Sequence, residues 1–220
     1  MGDVVRDWLV RRLAISGLLA LSACAPVSNG YLADYGEPDP KPSDFRVCHG
    51  YGCKFQTRIA LSEAEWQRVR AAFEPSAASA SGERRQIAAA IAILGTEVGE
   101  RAGTSAHQRR EVNTGDASQL DCIDESVNTW TYLTMLDRDG LIRLHRVVSV
   151  AHGGSIFQLD MRNTAVIERK TTGVAYAVDP WLVDAGEPPP IFPLSLWLAG
   201  WPPRIPADMV GSPQQSGNRI

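Results

Sequence analysis

Cys122 is preceded by Asp121 and followed two residues later by the acidic pair Asp124 and Glu125. A cysteine in the first turn of a helix meets unpaired backbone N–H groups and the positive end of the helix dipole, which favour thiolate over thiol. A nucleophile of that kind performs acyl transfer or hydrolysis when an imidazole takes its proton and a carboxylate orients the imidazole. The chain contains four histidines. His49 lies between two cysteines, His107 in a polar loop and His145 within a strand pattern. His152 precedes Gly153-Gly154, so it is the histidine free to swing toward Cys122. Asp179 is the candidate orienting acid, and Cys122, His152 and Asp179 form the candidate catalytic set.

These residues need a helix and a hairpin to position them. Asp121 can cap a helix whose apolar stripe is Ile123, Val127, Trp130 and Leu133, with Gly140 as its stop. Downstream, residues 141–150, 157–169 and 174–181 are rich in branched side chains and predict strands, the last two joined by a turn at Thr171-Thr172-Gly173. Pairing Lys170 with Val174 sets Ala165 opposite Asp179 and gathers Asn163, Ala165, Ala177 and Asp179 on one face. A Cys-His-Asp site on this frame requires its histidine near 163. The sequence supplies Asn163 there, and no histidine occurs from 153 to 220. An amide hydrogen-bonds a ligand but does not accept a proton at neutral pH. Asn163, Asp124 and Trp181 are therefore candidate binding residues, although Asp124 and Glu125 also suit a plain helix start.

Leu120-Asp121-Cys122-Ile123-Asp124-Glu125-Ser126, then Thr164-Ala165-Val166-Ile167, then Tyr176-Ala177-Val178-Asp179-Pro180-Trp181 resembles the core of the bacterial transglutaminase-like cysteine proteinases, which belong with papain-like folds. The similarity covers roughly residues 118–182 and rests on the order of the three pieces. It implies a transglutaminase- or papain-like α+β core with Cys122 as nucleophile and Asp179 as acid, and it implies no cofactor. The family pattern places His-Ala-Val on the first strand, where this chain has Asn163-Thr164-Ala165-Val166.

The other cysteines set the compartment. Arg6, Arg11 and Arg12 precede the short apolar run Leu13–Leu21, and Leu21-Ser22-Ala23-Cys24 follows. This is a secretory signal pattern, too short to span a bilayer. The four residues resemble the lipobox of bacterial lipoproteins, which implies cleavage before Cys24 and lipidation (diacyl or palmitate-like) of that cysteine. Ala25, not Asp, follows it, which favours the outer membrane over the inner, facing the periplasm. In Cys48-His49-Gly50-Tyr51-Gly52-Cys53 the glycines let the chain turn back, and an oxidising periplasm permits a Cys48–Cys53 disulfide. A metal reading of Cys48, His49 and Cys53 has poor ligand spacing and no evident fourth ligand, so no metal is expected.

The formal net charge is -3. The leader holds three arginines against two aspartates, so the body after cleavage carries about -4. With no basic cluster, nucleic acid is excluded as a partner. The organisation predicted is a signal peptide over 1–23, a Pro/Gly-rich tether over 24–46, one domain over 47–203 and a disordered tail over 204–220. Ser62-Glu63-Ala64-Glu65 is a capping box, residues 83–98 form an amphipathic helix, and the proline-rich stretch after Asp184 wraps the surface with its Trp and Leu side chains tucked in. Helices come first and strands later, an α+β order with helices packed on a small antiparallel sheet. Three functions fit: an envelope thiol hydrolase, peptidase or acyltransferase using Cys122; a degenerate relative that binds a peptide or envelope protein; or a structural lipoprotein docking through its Trp-Pro segment.

Overall fold

The computed structural model describes residues 27–28, 30–110, 115–154 and 161–200. Cys24, the leader and the expected tail lie outside them. The fold is α+β, as the element order predicts. A five-stranded antiparallel sheet has the order β1-β4-β5-β6-β7, from β1 (Val27–Ser28), β4 (His145–Gly153), β5 (Arg162–Arg169), β6 (Ala175–Val178) and β7 (Ile191–Pro193). A separate hairpin pairs β2 (Phe45–His49) with β3 (Phe55–Ile59). The helices are α1 (Gly30–Tyr35), α2 (Glu63–Ala71), α3 (Ala80–Ala102), α4 (Cys122–Arg138) and α5 (Leu194–Leu198).

Local chemistry explains the helix starts. Ser62 caps α2 in a reciprocal box with Glu65, and Asp121 caps α4 in the same way with Asp124. Each box satisfies backbone N–H groups that the first helical turn leaves unpaired. The stripe Ile87, Ile91, Leu94 and Val98 buries α3 against Leu133 and Leu136 of α4. The sheet is covered on both faces. Ala165, Ile167 and Val178 join the large core under the helices, whereas Ala151, Val166 and Ala177 join Phe192, Leu194 and Trp197 on the α5 face. Such alternation is what a period-two strand produces when both sides are buried.

Two expectations change. Residues 24–46 were expected to form a tether, but β1 and α1 lie within them, and β1 pairs with β4 through Val27–Ala151 and Ser28–Val150. The hairpin register is also shifted by one. Ala165 faces Val178, not Asp179, and Arg169 N–H donates to Val174 O. The turn holds one residue more than expected, with Gly173 at φ +68° accommodating the left-handed step. A slip of one residue exchanges faces. Ala177 therefore lies opposite Asn163 and Ala165 across the sheet instead of beside them, and Asp179 follows it out of β6.

Candidate active site around Cys122

Cys122 is the first residue of α4, half-buried, with its sulfur aimed at the start of β5. Asn163 Nδ2 lies 3.5 Å from Sγ, and Sγ lies 3.8 Å from Met161 O. On the neighbouring strand His152 pairs in register with Asn163, and its Nδ1 is hydrogen-bonded to Asn163 Oδ1. The structure thus brings Cys122, Asn163 and His152 together, with the amide in the middle. His152 belongs to the end of β4 instead of a free loop.

The direction of these hydrogen bonds decides what they can do. Asn163 turns its oxygen to the imidazole and its nitrogen to the sulfur, an orientation that calls for the tautomer with its proton on His152 Nδ1. The thiol proton points on to Met161 O. Every donor along the chain His152–Asn163–Cys122–Met161 faces away from the imidazole. A general base must accept from the thiol, and here the imidazole donates into the network.

Electrostatics act in the same sense. Burial pushes the Cys122 thiol up to about 11, the Asp121 carboxylate adds to this, and the Asn163 hydrogen bonds do not offset it. The helix dipole that should favour thiolate is outweighed by burial and by the capping carboxylate beside it. At neutral pH Cys122 is a protonated thiol.

Asp179 is buried, and its Oδ2 accepts from Trp197 Nε1 at 2.8 Å. Its side chain is therefore committed to α5 and not to His152. Burial raises Asp179 to about 6, while the Trp197 hydrogen bond and the Arg162 charge oppose the rise. The Arg162 guanidinium lies over the Trp197 ring, 5.2 Å from its centroid. Trp181 lies in a 3-10 turn, Pro180–Leu182, with its carbonyl accepting from Arg110 N–H. Its indole Nε1 is buried with no hydrogen-bond partner.

Asp124 has a structural task. Its Oδ1 accepts from Cys53 N–H at 2.6 Å, and Oδ2 accepts from Tyr51 N–H at 2.8 Å and Asp121 N–H at 3.2 Å. Burial and the Asp121 charge nonetheless raise its pKa. Cys48 and Cys53 are joined as a disulfide, in line with the spacing argument. His49 is not positioned as a metal ligand, because its two ring nitrogens contact Ala117 O and Thr57 Oγ1. The sulfurs of Cys48 and Cys53 instead lie near Asp124.

One feature escaped sequence reasoning. Glu125, one helical turn beyond Cys122, faces His107, with Oε1 and Nε2 3.5 Å apart. Both line a partly open cavity of about 50 Å³ together with Asn128, Tyr132 and Thr104. Burial, followed by the charges of Asp124, Asp179 and Asp121, pushes Glu125 up to about 8. The only signal was an acidic pair at a helix start, which exposed residues produce equally well.

Comparison with protein-family models, with curated proteins and with solved structures found no match.

Proposed function

We propose that this protein is an envelope lipoprotein, anchored through lipid on Cys24, whose transglutaminase-like α+β domain has lost thiol catalysis and serves to bind a peptide or an envelope protein. The observation that carries the catalytic half of this reading is the Asn163 side chain standing between Cys122 and His152. An amide cannot relay a proton as imidazole does, and the thiol beside it is held protonated. Removing the base of a catalytic triad typically forfeits several orders of magnitude in rate. The resemblance over residues 118–182 supplies the fold expectation, and the leader and Cys24 supply the location.

The test is alkylation of the full chain by iodoacetamide from pH 5 to 11, with Cys122 followed by mass spectrometry of its peptide. The rate is expected to be negligible at pH 6 and to rise only toward the alkaline end, as for a thiol titrating near 11. Rapid labelling at pH 6 to 7 would mark an activated thiolate and replace this reading with that of a thiol hydrolase.

A further inference from the structure

The loop that joins β2 to β3 is bound to the very helix turn that carries Cys122. Gly50, Tyr51, Gly52 and Cys53 all have left-handed backbone, with φ of 80°, 70°, 65° and 58°. Side chains at Tyr51 and Cys53 disfavour that conformation. It is retained because it aims successive N–H groups at the α4 cap: Tyr51 and Cys53 donate to Asp124, and Gly52 donates to Asp121 at 2.9 Å. Three successive N–H groups of this left-handed run converge on the two capping carboxylates. Farther along α4, Asn128 accepts from Cys48 N–H at 2.7 Å and donates to Cys48 O at 2.8 Å. On the approach to the helix, Gly50 N–H donates to Gln119 O at 3.0 Å. The segment 119–128 is thus held from end to end by residues 48–53, which the disulfide closes into a ring.

We propose that the Cys48–Cys53 disulfide is a redox-operated clamp on Cys122: closed, it fixes the first turn of α4 so that the Cys122 sulfur stays against the start of β5, and opened, it releases that turn and exposes Cys122 to reaction. This rests on the reading of Cys122 as a thiol kept unreactive by its surroundings. The opening step is a two-electron exchange with a dithiol reductant. One reductant thiolate attacks a disulfide sulfur and forms a mixed disulfide, the S–S bond breaks, and the departing sulfur takes up a proton. The second reductant thiol displaces the remaining sulfur, which is protonated in turn. The chain is left with two thiols, and the reductant leaves as its own disulfide. Without the ring, Tyr51 and Cys53 relax from the left-handed region, and Asp121 and Asp124 lose the loop's N–H donors to water.

The experiment measures Cys122 alkylation at pH 8 in the full chain, oxidised and after treatment with dithiothreitol, and in the Cys48→Ser/Cys53→Ser variant. Amide hydrogen exchange is followed in parallel. At least a tenfold faster rate is expected in the reduced protein and in the variant, with faster exchange over residues 119–128 and unchanged protection in β5 and β6. Equal rates in the oxidised and reduced chains overturn the clamp. Loss of protection in β5 and β6 overturns it too, since the disulfide would then be a general staple. Fast alkylation of the oxidised chain at pH 6 to 7 instead removes the silent-thiol reading, whatever the ratio between redox states.

Discussion

His152 and Asn163 face each other across β4 and β5, with the imidazole Nδ1 hydrogen-bonded to the amide oxygen and the amide standing between the ring and Cys122. His152 is one side chain removed from the sulfur. Replacing that side chain is the most direct test. In Asn163→His the new imidazole occupies the place from which Nδ2 approaches Sγ, and Cys122 alkylation at pH 7 should accelerate by about tenfold or more, because a general base in reach is worth roughly 10²–10⁴. Asn163→Ala is the control and should stay slow. If Asn163→His is also slow while still folded, burial and the Asp121 charge, not the missing base, dominate the thiol.

Glu125 supplies a pH signature. Its pKa is near 8 in the folded chain against 4.5 as the ordinary value. The native state thus keeps this proton over a range in which the unfolded chain has released it, and stability falls as pH rises from about 4.5 to 8. Glu125→Gln should flatten that slope and, at pH 8, raise stability by on the order of 2 kcal/mol. Urea denaturation midpoints of the two proteins at pH 5 and pH 8 decide it, and a parallel pair of curves would contradict the assignment.

Glu83 is the opposite case. Burial alone would raise its pKa, but His145 Nδ1 and the N–H groups of Leu144, Arg143 and His145 outweigh it, and the net shift is downward. A depressed carboxylate contributes stability above its unfolded pKa and loses it as pH falls through the folded one. Glu83→Ala leaves those buried donors without an acceptor and should cost about 3 kcal/mol at pH 7, measured by thermal or urea unfolding. The wild type should also lose stability on acidification, as pH falls through the lowered pKa of Glu83.

Trp197 and Asp179 form a third test. Trp197→Phe preserves the ring that fills the α5 face but removes the indole donor from a buried carboxylate. A loss of about 2 kcal/mol is expected at pH 7. Asp179→Asn in the Trp197→Phe background should recover part of it, since the charge no longer needs the donor. If the two losses simply add, the residues are not coupled as the geometry indicates.

How far these features were legible in the sequence follows from the range of the interactions involved. Capping at Ser62 and Asp121 is local chemistry within four residues, so the starts of α2 and α4 follow from residue types alone. The apolar stripe of α3 and the Cys48–Cys53 pair are equally short-range. The register of β5 against β6 depends on whether the turn holds three residues or four, which Lys170-Thr171-Thr172-Gly173 does not declare. That uncertainty of one residue assigned Asp179 to the wrong face and hid its bond to Trp197, eighteen residues away. The proximity of His152 to Asn163 arises from the β4–β5 pairing, and the sequence around His152 reads as loop because two glycines follow it. The β2–β3 hairpin was missed for a related reason: its turn was visible, but Arg46 and Arg58 interrupt the apolar character of both strands.

Under the proposed anchoring at Cys24, the pairing of Val27 with Ala151 would set how far the domain stands from the membrane. Two residues, Ala25 and Pro26, separate Cys24 from Val27, three steps along the chain, and an extended chain spans at most about 3.5 Å per residue. With lipid on Cys24, Val27 would lie at most about 10 Å from that cysteine, and Ala151 faces it across the β1–β4 pair with His152 as its neighbour in β4. In the proposed anchored form, whatever meets the Cys122–Asn163–His152 corner would do so close to the bilayer, which favours the membrane-proximal stretch of another anchored protein over a freely diffusing peptide.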